Sequence, residues 1–342
     1  MRLSPLPRQG RNLAGALLAC AGNVRRPLSA ACILTHRCNF RCTYCDIPDR
    51  AGSELSSDQW LSGLRELRDA GLLRASFSGG EALLRADAVS IIKGAKELGL
   101  TTSLNSNGWL THAQLVELAP HLDLLMVSLD GPAAEHDAAR RKPGSFARAI
   151  QVLREARALG ITTTSITVLT PANLHVVEPI LQLAEQNGYW AYFQPAYLEC
   201  FGRDRGLQPG LGPQVLADIS QRLVAAQSLG RPVGASPGYL RRLALTPGGS
   251  RCENCRAGRQ FVTIMPDGTF VPCHLTADER TWPSAADHGF AKAFAQMPAV
   301  SPGGGCAISP YQELDLIFGL NPAAVRTALR RLLKPATAGQ PH

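Results

Sequence analysis

The stretch Thr35-His36-Arg37-Cys38-Asn39-Phe40-Arg41-Cys42-Thr43-Tyr44-Cys45 decides how the rest of this 342-residue chain is read. Its three cysteines stand at the spacing C-x3-C-x2-C, with an aromatic residue just before the last. One loop of that spacing can wrap three thiolates around a single cubic iron–sulfur cluster, a group that normally takes four cysteine ligands. Three ligands leave one iron open, and an open metal position is where chemistry happens, whereas a fully ligated one mainly stores or carries electrons. The bland alternative is a structural zinc knuckle or a redox pair, because generic cysteine spacings are shared between such uses.

Working outward, Ala30 to Leu34 is a short apolar run that reads as the first strand, and the cysteine loop follows at its C-terminal end. Parallel α/β architectures build their sites there. Ser56-Ser57-Asp58 reads as a helix N-cap, Trp60, Leu61, Leu64 and Leu67 follow at helical spacing, and Gly71 ends the helix. The second strand, Leu72 to Phe77, runs into Ser78-Gly79-Gly80-Glu81. Two glycines at a strand end let the backbone approach a ligand closely, and a carboxylate there can accept hydrogen bonds from a ligand ammonium. The alternation continues with a helix over 87–98, a strand over 101–105 ending in Asn105-Ser106-Asn107-Gly108, and a strand over 124–129 ending in Ser128-Leu129-Asp130-Gly131-Pro132. Helices over 145–158 and 173–187 and strands over 161–168 and 189–194 complete it. Singly, each polar residue at a strand end serves a loop cap at least as well as a ligand; their repetition favours a site. Six strands joined through helices by right-handed crossovers close into a barrel. The fold class is therefore α/β, a partial (β/α)6 TIM-like barrel, followed by a small C-terminal cysteine-rich hairpin domain.

Cys38, Cys42 and Cys45 with Tyr44 resemble the signature of the radical S-adenosylmethionine (radical SAM) superfamily, and Phe77-Ser78-Gly79-Gly80-Glu81-Ala82-Leu83-Leu84-Arg85 resembles its Gly-Gly-Glu segment. The chain departs at Ala82, where proline is usual, and at Ser106, where many members have threonine. The resemblance spans residues 28–310. It implies that the open iron binds the amino and carboxylate groups of SAM. An electron from the cluster would then cleave the sulfonium to a 5′-deoxyadenosyl radical that abstracts hydrogen from a C–H bond. It also implies cofactor contacts at Tyr44, Gly79, Gly80, Glu81, Asn107, Ser128 and Asp130. One of Arg140 and Arg141, with Arg140 preferred, would meet the SAM carboxylate through its guanidinium fork. Tyr192 and Gln194 are candidates to flank the adenine. A flavodoxin or ferredoxin would serve as reductant.

A second cysteine set follows. Cys252 and Cys255 precede Phe261-Val262-Thr263-Ile264, Asp267-Gly268 and Phe270-Val271-Pro272-Cys273, which is a β-hairpin with an Asp-Gly turn. The hairpin returns Cys273 beside Cys252 and Cys255, and Cys306 can close a set of four. Zinc and iron–sulfur fit such a set about equally. The C-x2-C, Ala-Gly, Pro-Asp-Gly and Pro-Cys elements resemble the SPASM/twitch extensions, which implies a second [4Fe–4S] cluster on Cys252, Cys255, Cys273 and Cys306. Cys200 is a candidate fourth ligand or quenching thiol. Cys20 and Cys32 read as small core residues.

Composition sets the outer bounds. The chain is 45% hydrophobic and 18% charged with net charge +8, nearly all of it from arginine. No dense basic run carries interleaved aromatics, so nucleic acid is not an expected partner. Clustered cysteines suit a reducing cytoplasm rather than a disulfide framework. Leu13 to Ala21 imitates a signal peptide but is too short to span a membrane. It reads as an amphipathic helix over 9–22, and peripheral membrane contact has no further support. The expected division is an N-terminal helical segment (1–27), the barrel (28–230), the auxiliary-cluster domain (231–311), and a C-terminal helix and tail (312–342), the helix packing on the barrel exterior. Residues 231–250 read as a linker, and the tail after Pro335 as disordered.

The expected function is that of a radical SAM oxidoreductase or maturase acting on a peptide or a small molecule. The SPASM/twitch likeness favours a peptide, whereas about 30 residues before the barrel are too few for a separate leader-recognition domain. Two rivals remain. One is a GTP-cyclase-like enzyme of molybdopterin synthesis, whose cysteine loop is very similar. The other is a non-catalytic iron–sulfur or zinc assembly protein, which leaves Gly79-Gly80-Glu81 and Asp130 unexplained.

Overall fold

The computed structural model describes residues 8–50, 52–196, 211–245, 255–273, 281–298 and 308–333, with backbone alone for 8–14 and 332–333. The elements in chain order are α1 (Arg8–Ala21), β1 (Ser29–Ile33), α2 (Ser57–Ala70), β2 (Arg74–Ser78), α3 (Ala88–Glu97), β3 (Thr101–Ser106), α4 (His112–Leu118), β4 (Leu124–Ser128), α5 (Ala133–Arg140), α6 (Ser145–Ala158), β5 (Thr162–Leu169), α7 (Val177–Asn187), β6 (Trp190–Pro195), α8 (Pro213–Ser228), α9 (Pro237–Ala244), β7 (Phe261–Ile264), β8 (Phe270–Val271), α10 (Ala285–His288), α11 (Phe290–Ala295), α12 (Ser309–Phe318) and α13 (Pro322–Leu333). One sheet holds all eight strands in the order β6-β5-β4-β3-β2-β1-β7-β8. The strands β1 to β7 run parallel, and β8 returns antiparallel on β7.

Register sorts the side chains into two faces. Ile264, Cys32, Phe77, Leu104 and Leu125 stand in one row across five strands, and all five are fully buried. They pack in one core with Trp60, Leu64 and Leu67 of α2 and Ile91 and Ile92 of α3. That face is the outer, helix-covered one of a barrel. The other row, Thr263, Ala31, Ser76, Ser103 and Leu124, belongs to the inner face. Small and polar residues there leave room that the outer face lacks. The α2 helix begins at the expected cap: Ser56 and Gln59 form a reciprocal capping box, and Gly71 ends it.

Three features differ from the sequence reading. The hairpin does not stand off from the barrel. Strand β7 pairs with β1 from Ser29↔Phe261 to Cys32↔Ile264 and so extends the barrel sheet past its first strand. The C-terminal helix is two helices, and they cover the inner face rather than the exterior. The Tyr311 hydroxyl on α12 is 2.7 Å from the Thr263 hydroxyl, and its ring stacks on Phe261. The Ser309 amide donates to Gln194 (3.2 Å) and Arg331 of α13 lies over Tyr192. These partners all sit on the inner face, so α12 and α13 fill the side on which the barrel is open. The expected linker also contains α9, whose Ser236 caps its own first turn. No described helix is long and apolar enough to cross a membrane.

Candidate active site at the strand ends

The cysteine loop leaves β1 and is clamped by the next strand. The Leu34 amide donates to the Ser78 carbonyl, Gly80 to Thr35 and Glu81 to Arg37. The two glycines make this possible. A Cβ on Gly79 would lie 2.4 Å from the Thr35 carbonyl oxygen, and one on Gly80 would lie 2.3 Å from that of Arg37. The close approach that Gly79-Gly80 permits is thus to the cysteine loop itself. Arg85, at the end of the same segment, donates to the carbonyls of Leu34 (3.1 Å) and Leu55 (2.9 Å) and holds Asp87. Glu54 pairs with Arg37 and accepts from Thr35.

Glu81 is buried and accepts from the Ser106 hydroxyl (2.9 Å), the Asn107 amide (2.9 Å) and, at longer range, the Leu83 amide (3.4 Å). Burial pushes its pKa up, and these three donors partly offset the shift. Its observed work is to fix the end of β3. The Asn107 side chain then reaches the cysteine loop, donating to Asn39 Oδ1 (2.7 Å) and approaching Cys38 Sγ at 3.8 Å.

A second chain of contacts comes from β4. Asp130, at its end, is fully buried. Its Oδ2 accepts from the Tyr44 hydroxyl (2.6 Å) and pairs with Arg140 Nε (2.8 Å), while its Oδ1 accepts from the Val168 amide (3.0 Å). Arg140 turns its Nη1 to Cys42 Sγ at 3.7 Å and its guanidinium over the Tyr44 ring. Burial opposes the charge on Arg140, but Asp130, Tyr44 and Cys42 more than restore it. His136 supports the same corner: its Nδ1 accepts from the Asp130 amide (3.1 Å). Burial and then Arg140 hold its pKa down to about 4, so the imidazole is neutral and its proton is on Nε2.

Arg140 therefore faces the cysteines, and Arg141 does not. Arg141 is exposed, ends α5 in the left-handed conformation (φ 50°), and leaves the Gly144–Phe146 turn to be tied by Asp137. Ser128 is half-buried on the inner face and makes no side-chain hydrogen bond among the described residues. Tyr192 and Gln194 are also on that face, where Arg331 of α13 lies over Tyr192 and the Ser309 amide of α12 donates to Gln194. The sequence reading gave no role of their own to Asn39 or Glu54. Their signal is relational: Asn39 meets Asn107 and Glu54 meets Thr35 and Arg37, each well separated in sequence.

The donor set fits a soft, positively charged cluster. The thiols of Cys38, Cys42 and Cys45 are all pushed up, first by burial, with mutual repulsion and nearby acids adding to the shift. As thiolates they need a compensating cation in their midst. Three thiolates on one loop suit the cysteine ligation of an iron–sulfur cluster. Cys32 behaves differently: sealed in the outer-face core, it is pushed up to about 12 and is a packing residue. Cys20 is likewise buried, beside Ala16 and Leu28.

In the hairpin region Cys255 and Cys273 pack in one apolar cluster with Ala257, Phe261, Ile308 and Tyr311. Cys252, Cys306 and Cys200 lie outside the described residues. Ile308 brings the chain that follows Cys306 into that same cluster.

The Radical SAM superfamily model matches residues 32–184. The chain is 31% identical over 266 residues to the PqqA peptide cyclase of Bradyrhizobium diazoefficiens, covering 72% of this chain and 67% of that one. It is 29% identical over 320 residues to the PqqA peptide cyclase of Xanthomonas campestris pv. campestris, covering 84% and 81%. Among solved structures it shares its fold with Streptococcus suis SuiB bound to S-adenosylmethionine (TM-score 0.69, 16% identity, 84% of this chain and 70% of that one). It also shares it with anSMEcpe bound to AdoMet and a peptide (TM-score 0.64, 16% identity, 79% and 81%). With the cysteine loop, the clamp on it and these relatives together, the chain belongs to the radical SAM superfamily and is an enzyme that uses a [4Fe–4S] cluster and S-adenosylmethionine.

Proposed function

We propose that this enzyme matures a peptide, with Cys38, Cys42 and Cys45 holding the SAM-cleaving cluster. The observation that carries the peptide is the 31% identity, over most of both chains, to a protein named PqqA peptide cyclase. The cluster, when bound, supplies the electron that breaks the SAM sulfonium bond, and the 5′-deoxyadenosyl radical takes hydrogen from the substrate. The chain's own residues do the rest. Arg140 and Asn107 direct N–H groups at two of the three sulfurs. Asp130 holds both Arg140 and Tyr44, so Cys45 is fixed through its neighbour. Glu81 fixes the strand end from which Asn107 reaches over. Helices α12 and α13 close the barrel's inner face on the side where the sheet is open, leaving the strand-end mouth for SAM and substrate. SAM contacts fall to the groups at that mouth: Gly79, Gly80, Glu81, Asn107, Ser128, Asp130 and Arg140.

Cys252, Cys255, Cys273 and Cys306 are assigned one auxiliary [4Fe–4S] cluster, which the shared apolar cluster around Cys255, Cys273 and Ile308 supports. A flavodoxin or ferredoxin is the assigned reductant. A GTP-cyclase-like activity draws no support from these relatives.

The test incubates reduced, anaerobically reconstituted enzyme with SAM and short peptides encoded near its gene, reading 5′-deoxyadenosine and peptide mass. A peptide that loses two hydrogens in step with 5′-deoxyadenosine supports the reading. Turnover only with small metabolites and with none of the peptides would overturn it.

A further inference from the structure

The cysteine loop is open to solvent along one edge, and that edge is bordered by an exposed aromatic ring and several cations. Arg37, Asn39, Arg41 and Thr43 are exposed, in alternation with Cys38, Phe40 and Cys42, which are half-buried or buried. Trp109, two residues past Asn107, is 39% exposed. Its ring packs edge-on against Phe40, with centroids 5.9 Å apart, and Lys142 Nζ lies 4.7 Å from its centroid. The Phe40 amide in turn donates to Cys38 Sγ (3.4 Å). Lys142 follows α5, whose end is tied to the loop: the Thr43 amide donates to the Ala139 carbonyl (2.9 Å), and Arg140 reaches Cys42. Leu84, 40% exposed, stands on the segment that Glu81 joins to Asn107.

Two cations of this surface are left without an acid. Arg37 pairs with Glu54, and Arg41 with Asp49 (3.3 Å), the latter between side chains more than half exposed, where water screens the pair. Asp137 is taken up by the Gly144 and Phe146 amides and the Ser145 hydroxyl, and Glu155 by His112. Arg148 donates to the Leu110 carbonyl, next to Trp109 in the chain. Arg141, which is exposed, and Lys142, over the Trp109 ring, make no ion pair with an Asp or Glu among the described residues. The chain as a whole carries net charge +8. An exposed tryptophan bordered by cations has the composition of a binding hot spot for an acidic protein.

We propose that Trp109, Lys142, Arg141 and the exposed edge of the cysteine loop form the docking surface of a small acidic electron-carrier protein. The proposal rests on the reading that Cys38, Cys42 and Cys45 hold the cluster. The electron spent in cleaving SAM has to come from outside the chain. A carrier seated on Trp109 is separated from Cys38 by the Phe40 ring and need not enter the barrel, whereas a peptide substrate has to reach the radical within the mouth. One electron passes, from the reduced carrier to the oxidised cluster, and no atom is transferred. Lys142 and Arg141 draw the carrier in by charge, and Trp109 supplies the apolar contact that orients it.

The test uses the full chain, reconstituted anaerobically, with a flavodoxin as probe and a ferredoxin as a second arm. Isothermal titration calorimetry at low salt is expected to give one carrier per chain, weakened about tenfold or more in Trp109→Ala and in Lys142→Glu. Salt should weaken wild-type binding, and should weaken binding by Lys142→Glu less steeply. Arg222→Glu on α8 and Leu229→Ala at its end control for charge reversal and for exposed apolar surface, and should bind as wild type does. The ratio of carrier-driven to dithionite-driven SAM cleavage should fall with the affinity. Lys142→Glu keeps the test sound if Trp109→Ala disturbs the loop through Phe40. An equal fall in both rates would assign the patch to substrate or to cluster retention and overturn the proposal. So would wild-type affinity for both carriers in both variants, or binding of neither carrier by the wild type. Absence of dithionite-driven cleavage in the wild type would instead sink the cluster assignment, and the proposal with it.

Discussion

Arg140 lies between Asp130 and Cys42, with its Nε 2.8 Å from the Asp130 carboxylate and its Nη1 3.7 Å from the Cys42 sulfur. A buried carboxylate thus aims a positive donor at a cluster ligand. Hydrogen bonds to cluster sulfurs stabilise the reduced, more negative state. Arg140→Gln is expected to lower the midpoint potential by about 40–60 mV, equivalent to about 1 kcal/mol for one electron. An EPR-monitored redox titration without SAM reads this directly, and an unchanged potential would confine Arg140 to packing or to SAM.

The glycine clamp makes a second prediction. Gly80→Ala places a methyl group against the Arg37 and His36 carbonyls, 2.3 and 2.6 Å away. The backbone there must yield, at about 1–3 kcal/mol. Far-ultraviolet circular dichroism should remain that of the wild type while iron retained after reconstitution falls. Full iron retention would mean that the cysteine loop does not need this contact.

Glu81 holds three donors with one buried carboxylate, and Glu81→Gln turns one of its acceptors into a donor facing donors. The expected loss is about 1–3 kcal/mol in urea unfolding. Asn107→Ala should be milder in stability but should loosen Asn39 and Cys38, read as a broadened cluster EPR signal.

Glu313 on α12 carries a pH signature. Its Oε1 accepts from the Ser236 amide at the start of α9 (2.6 Å), its Oε2 is buried without a partner among the described residues, and burial pushes its pKa up to about 7. A raised carboxyl pKa means that the folded state binds the proton more tightly than the unfolded one. This contribution is therefore fully present below pH 4.5, falls as pH rises toward 7, and is absent above it. The span is about 3 kcal/mol at most. Glu313→Gln should flatten this part of the stability–pH curve, measured by urea unfolding between pH 5 and 8. A slope equal to that of the wild type would contradict the assignment.

Much of the site was legible because its parts are local. Apolar runs closed by Ser-Gly-Gly-Glu, Asn-Ser-Asn-Gly or Ser-Leu-Asp-Gly mark strand ends, and the six barrel strands begin and end within two residues of where those runs put them. What escaped is non-local. Pairing of β7 with β1 joins residues more than two hundred positions apart, and no local pattern encodes it. The reading of the C-terminal helix as packing on the barrel exterior failed because amphipathic spacing says which face is buried but not against what, and here the partner is the inner face, with Arg331 over Tyr192. The break between α12 and α13 did have a signal in Asn321-Pro322, where the Asn321 side chain accepts from the Ala323 and Ala324 amides as an N-cap. Helix α9 was missed because its Gly and Pro neighbours suggested a linker, although Ser236-Pro237 is an N-cap followed by proline at the first helical position.

The most direct test measures iron, sulfide and EPR signals on anaerobically reconstituted protein, wild type beside the triple variant Cys38→Ala, Cys42→Ala, Cys45→Ala, with SAM cleavage assayed in parallel. Two [4Fe–4S] clusters predict about eight irons per chain, falling to about four in the variant, with 5′-deoxyadenosine formation abolished. Iron content and SAM cleavage that survive the triple substitution would contradict the placement of the catalytic cluster on this loop.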